Sequence, residues 1–143
     1  MLISVVILMC LAALLACRAC QTDHCSHVPY PWTDVQADRT EKGVWVDVWG
    51  RRYSFAGGLL PEQITTASED ILAEPIRLKA EADAEPIAWE KAQHFIASNT
   101  KDRAVLCSSQ NSSDVIANAV YTIEYDGTMK VDLSIFPHLG GAP

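Results

Sequence analysis

From residue 43 onward the chain alternates. Val44, Val46 and Val48 are separated by Trp45, Asp47 and Trp49, a two-residue period that puts the valines on one side of an extended strand. Gly50 permits a bend and residues 51–55 (RRYSF) alternate again, so the two runs predict a hairpin that Gly57-Gly58 ends. Residues 63–67 predict the next strand. The Ala and Glu content of residues 68–84 suggests a helix, but Pro75 falls in its middle and removes a backbone donor. Beyond it Ile76, Leu78, Ala80 and Ala82 alternate with Arg77, Lys79 and Glu81, which predicts a strand over 75–82. Short strands follow over 87–89, 93–97 and 104–109, the last after a turn at Lys101-Asp102-Arg103. The sharpest signal is the β-rich run 115–125, then Asp126-Gly127, then 128–136. Asp-Gly between alternating runs predicts a tight hairpin with both turn residues at positive φ. Tyr121, Ile123 and Tyr125 share one face of it, and Met129, Val131, Leu133 and Ile135 alternate with Lys130, Asp132 and Ser134. These short strands, with no helix after the N-terminal leader, predict an all-β domain over 43–143: an antiparallel β-sandwich.

The first residues follow a different rule. Residues 2–16 (LISVVILMCLAALLA) are apolar apart from Ser4. That is shorter than the ~20 helical residues a bilayer core requires and suits a secretory signal. No Lys or Arg precedes the run, which departs from the usual signal pattern. Leu14-Leu15-Ala16-Cys17 resembles a bacterial lipobox, which makes Cys17 the lipidation candidate, although Leu15 is bulkier than that position favours. The expectation is export, to the periplasm, the outer membrane or the exterior, with membrane contact only through the leader or a lipid anchor. Residues 17–42 lack both periodicities, contain Pro29 and Pro31, and read as a tether.

Cys17, Cys20, His24, Cys25 and His27 are spaced in a way that invites zinc. Tetrahedral ligation needs a folded loop, however, and this tether offers no strand or helix to fix the ligands, so no metal or cofactor is expected. Cys20 and Cys25 could pair in an oxidising compartment. Cys107, within the apolar run AVLC, is expected to be buried for packing.

The net charge of −7 argues against nucleic acid, whose phosphates call for a concentrated basic surface. The acids Glu62, Glu69, Asp70, Glu74, Glu81, Asp83, Glu85 and Glu90 offer carboxylates, yet nothing marks two of them as the pair a glycosidase uses. There is no G-x-S-x-G, P-loop or H-E-x-x-H, and no catalytic residue is assigned. Asn111-Ser112-Ser113 matches a glycosylation acceptor but is expected to be loop. One ligand candidate stands out. With the valines inward, Trp45, Asp47 and Trp49 stand outward over about 13 Å at ~3.4 Å per residue. Two indoles flanking a carboxylate suit sugar rings, and they equally suit burial beneath another sheet or domain.

VWGRRYSF, LLPEQITTASEDILAEPIRL and TIEYDGTMKVDLSIFP together resemble the N-terminal β-sandwich domain of secreted family-123-like glycoside hydrolases, over about residues 43–137. In that family the sandwich precedes a catalytic (β/α) barrel that carries the carboxylates. The resemblance implies a carbohydrate-related lineage, a fragment lacking the barrel and a sandwich short of later strands. It carries no catalytic residue onto this sequence. The expected function is a non-catalytic module that packs on a catalytic barrel domain or binds polysaccharide. The alternative is a self-standing envelope lipoprotein that binds a protein partner; an independent hydrolase is the least favoured reading.

Overall fold

The computed structural model describes residues 27–138 apart from Asp83. The apolar leader, Cys17 and the other tether cysteines lie outside the described residues. The described residues form eleven strands: β1 (Gln36–Arg39), β2 (Val44–Val48), β3 (Arg51–Phe55), β4 (Gln63–Thr66), β5 (Glu69–Asp70), β6 (Glu81–Ala82), β7 (Glu85–Pro86), β8 (Gln93–Asn99), β9 (Arg103–Asn111), β10 (Val115–Glu124) and β11 (Met129–Pro137). Strands β1 to β5 form one sheet in chain order, β8 to β11 form a second, and β6 and β7 make a separate ribbon. All pairing is antiparallel. Within each sheet every strand pairs with its neighbour in sequence, which short hairpin connections can achieve. The fold is all-β, with two stacked antiparallel sheets.

Alternation determines which side of each strand is covered. Val44, Val46 and Val48 are buried, and the register of β2 with β3 sets Val44 opposite Phe55 and Val46 opposite Tyr53 on that same face. The second sheet contributes Ala104 and Leu106 from β9 and Ala117, Ala119, Tyr121 and Ile123 from β10. Small alanines beside Tyr121 leave room for Phe55 of the first sheet: the two rings meet with centroids 4.8 Å apart in a tilted arrangement. Polar clamps join the layers. The Tyr53 hydroxyl donates to the Gly127 carbonyl at 2.6 Å, and Tyr121 donates to the Leu59 carbonyl at 2.8 Å. Gln110 accepts from the Leu59 N–H at 3.0 Å and donates to the Glu90 carbonyl at 2.8 Å.

His94 and Ser108 form a further buried polar pair, 2.7 Å apart. The other ring nitrogen, Nε2, lies 3.1 Å from the Ala56 carbonyl, which can only accept. Nε2 therefore carries the proton and Nδ1 accepts from the Ser108 hydroxyl. Burial lowers the His94 pKa, partly offset by its backbone hydrogen bonds and reinforced by Arg39 and Lys91. The sign follows. The unfolded chain protonates His94 near its ordinary pKa of about 6.5 and the folded chain does so only below that. Its stabilisation is thus complete above about pH 6.5 and is lost as pH falls through the depressed folded value. His94→Gln is expected to lower stability at pH 7.5 and to flatten its decline between pH 7 and 5, as measured by urea midpoints.

Several expectations change. Residues 75–80 form no strand: Pro75 lacks an N–H, and the segment is held by the Ile76 N–H on the Pro61 carbonyl at 3.1 Å and by the Ala80 carbonyl, which accepts from the Ile87 N–H at 2.9 Å. Leu78 still packs on the core, whereas Ile76 is exposed, so the alternation is only partly matched by burial. Residues 87–89 likewise form no strand, although Trp89 packs against the core. In the opposite direction, β1 lies within the stretch read as tether, and its QADR sequence has no apolar period to announce it. Cys107 is half-buried on the outer side of β9, because Ala104, Leu106, Ser108 and Gln110 occupy the inward positions. The late hairpin is present, but its loop holds three residues. Glu124 and Thr128 close it, and Gly127 alone adopts positive φ, at 85°, in place of the expected pair.

Candidate functional site

The outer face of the first sheet carries alternating polar rows. The register places Gln36, Asp47, Arg52, Thr65 and Asp70 side by side across β1 to β5. Asp47 and Arg52 are opposed directly and form a bidentate pair, with both N–O distances 2.6 Å. This is the fork geometry that guanidinium and carboxylate favour, and it raises the Arg52 pKa further. The Arg52 guanidinium carbon also lies 4.6 Å from the centre of the Trp45 ring. Trp45 thus has a cation over its ring and is only partly accessible.

Trp49 is different. It occupies the β2–β3 turn, with Gly50 at φ 76° beside it, and it is 55% exposed. Trp32 supports it, with centroids 6.2 Å apart, and Tyr125 in turn meets Trp32 edge-on at 5.7 Å. This aromatic stack spans the approach segment, the first turn and the late hairpin. Trp49, Asp47 and Arg52 line an open depression of about 590 Å³ together with Asp34, Gln36 and Thr65. The structure therefore gathers Asp47 and Trp49 at one concavity and leaves Trp45 out of its lining. Sequence reasoning missed Trp32, Arg52 and Tyr125. The signal for Trp32 was present: aromatics beside Val35, in a stretch read as tether, argue for attachment, and Val35 is buried with its N–H bonded to the Lys101 carbonyl.

The acids read earlier as a carboxylate reservoir are all solvent-exposed among the described residues, on short strands and loops. Thr65 donates to Asp70 at 2.9 Å, a surface contact across β4 and β5. Among the described residues no group of His, Cys, Asp or Glu is placed to hold a metal ion. The cysteines of the zinc-like spacing, with His24, lie outside them. The Ser108 hydroxyl sits in the core between the sheets, where a substrate cannot reach it.

Residues 39–139 match the family model of the glycoside hydrolase 123 third domain. The chain belongs to this glycoside hydrolase 123 family. The match runs from the last residue of β1 past the end of β11, so it takes in all of the second sheet and nearly all of the first. The family is the one the sequence resemblance named, and the matched domain is its third where the resemblance named the N-terminal one. Alternation and turns report how a domain folds and contain nothing about its place in a row of domains. No curated protein and no solved structure matches the chain.

Proposed function

We propose that this domain is a non-catalytic module of an exported glycoside-hydrolase-like protein that holds carbohydrate in the depression beside Trp49. The observation that carries this reading is the exposed indole next to the Asp47–Arg52 pair. An aromatic face accepts the apolar side of a sugar ring, and a fixed carboxylate and guanidinium accept from and donate to its hydroxyls. Trp32 holds the indole in place, which reduces the ordering cost of binding. The exposed, dispersed acids and the inaccessible Ser108 favour a binding role over catalysis.

Titration with plant or algal polysaccharides, followed by tryptophan fluorescence and affinity-gel retardation, tests the proposal. Trp49→Ala is expected to weaken binding about tenfold, the scale of one aromatic contact. Trp45→Phe leaves affinity nearly unchanged, because Arg52 already covers that ring. An unchanged emission spectrum with no retardation would refute carbohydrate binding. The second reading is packing on a catalytic domain, for which the same exposed indole supplies an apolar anchor; protection of Trp49 within a longer polypeptide would favour it. Export and lipidation at Cys17 are read from the N-terminus of the processed protein by mass spectrometry.

A further inference from the structure

We propose that the domain associates with a second copy of itself by antiparallel pairing of β11, on a two-fold axis through Val131. β11 is the terminal strand of the second sheet. Its register with β10 runs unbroken from Val115–Pro137 to Ile123–Met129, without a bulge. The Glu124 N–H bonds the Thr128 carbonyl and the His138 N–H bonds the Asp114 carbonyl, at the two ends of this ladder. In an antiparallel pair, bonded and non-bonded positions alternate. Even-numbered residues of β11 therefore face β10, while Met129, Val131, Leu133 and Ile135 direct their N–H and C=O groups off the edge.

The same residues carry the apolar side chains. They lie on the inward face, opposite Ile123, Tyr121, Ala119 and Ala117. Met129 packs on the core, but Val131, Leu133 and Ile135 are 38%, 45% and 49% exposed. A long regular edge with apolar side chains is a template for strand addition unless charges or prolines blunt it. Here no proline interrupts the strand before Pro137, and its only charges are Lys130 and Asp132, ion-paired with each other at 2.9 Å.

Those two charges identify the occupant. A cation and an acid flanking Val131 are complementary to themselves once rotated by a two-fold axis. Lys130 then lies opposite Asp132 of the second copy, twice, on the outer face. On the inner face Met129 lies opposite Leu133 of the second copy. An axis through Asp132 would oppose two carboxylates, and one through Leu133 would set Lys130 against Phe136. The axis through Val131 joins unlike charges.

Sedimentation velocity of the full chain in mild detergent, over a concentration series, tests this alongside amide exchange. The expected result is a reversible dimer with protected amides at Val131 and Leu133. Asp132→Lys and Lys130→Asp should each weaken it about tenfold, and the double exchange K130D/D132K should restore it. Val131→Pro, which removes an N–H aimed away from β10, should abolish it while circular dichroism is retained. A monomer at every concentration would overturn the proposal, as would protected β11 amides in a monomer, which indicate a strand from elsewhere. Association that ignores all the charge variants, as through the apolar residues 2–16, would also overturn it.

Discussion

Tyr121→Ala is expected to destabilise the domain by about 3–5 kcal/mol, the usual cost of truncating a large buried aromatic. Tyr121 is wholly buried, its ring packs on Phe55, and its hydroxyl is bonded to the Leu59 carbonyl. A domain of this size commonly has about 5–15 kcal/mol in all, so the variant should populate unfolded chain well below the wild-type urea midpoint. Tyr121→Phe separates the parts. It keeps the ring and leaves the Leu59 carbonyl without its partner in the core, at a cost of about 1–3 kcal/mol. Burial also raises the Tyr121 pKa, so the phenol remains the donor in alkaline solution. A Phe variant as damaging as the Ala variant would show that the hydrogen bond, and not the ring, joins the layers.

Gly43→Ala is expected to cost about 3 kcal/mol or more, by a different mechanism. A Cβ at this position would overlap the Phe55 carbonyl oxygen and approach the Ala56 Cα to 2.9 Å. Both obstacles are backbone, so relief requires the β2–β3 hairpin to splay where Val44 faces Phe55. Gly50→Ala is the control. Nothing lies within 4 Å of its Cβ position, but φ is +76°, so its cost is the intrinsic one of about 1–2 kcal/mol. Equal losses in urea melts of the two variants would mean that the contact at Gly43 is relieved more easily than its backbone partners suggest.

Legibility varied with where the information resides. The β2–β3 and β10–β11 hairpins could be read because each strand buries every second residue and each turn contains glycine. The same rule misled at residues 75–80, where the apolar residues alternate in sequence but only Leu78 packs on the core, Ile76 is exposed and no neighbouring strand pairs with the segment. β1 was invisible because a strand of Gln, Ala, Asp and Arg is recruited by the open edge of β2 and not by its own pattern. The β4–β5 turn was equally hidden: Ala67 and Ser68 both adopt positive φ, at 50° and 70°, without the glycine that usually marks such a turn.

For the site, the outward direction of Asp47 follows from its place between buried valines, a local property of one strand. Its engagement with Arg52 depends on the register across to β3, and the placing of Arg52 over Trp45 depends on the same pairing. The stack of Trp49 on Trp32, backed by Tyr125, brings together residues from three distant parts of the chain. Periodicity specifies which face a side chain takes because that depends only on backbone geometry. Which neighbours share the face is a matter of how strands pair and sheets stack, and those long-range choices leave no periodic trace in the chain.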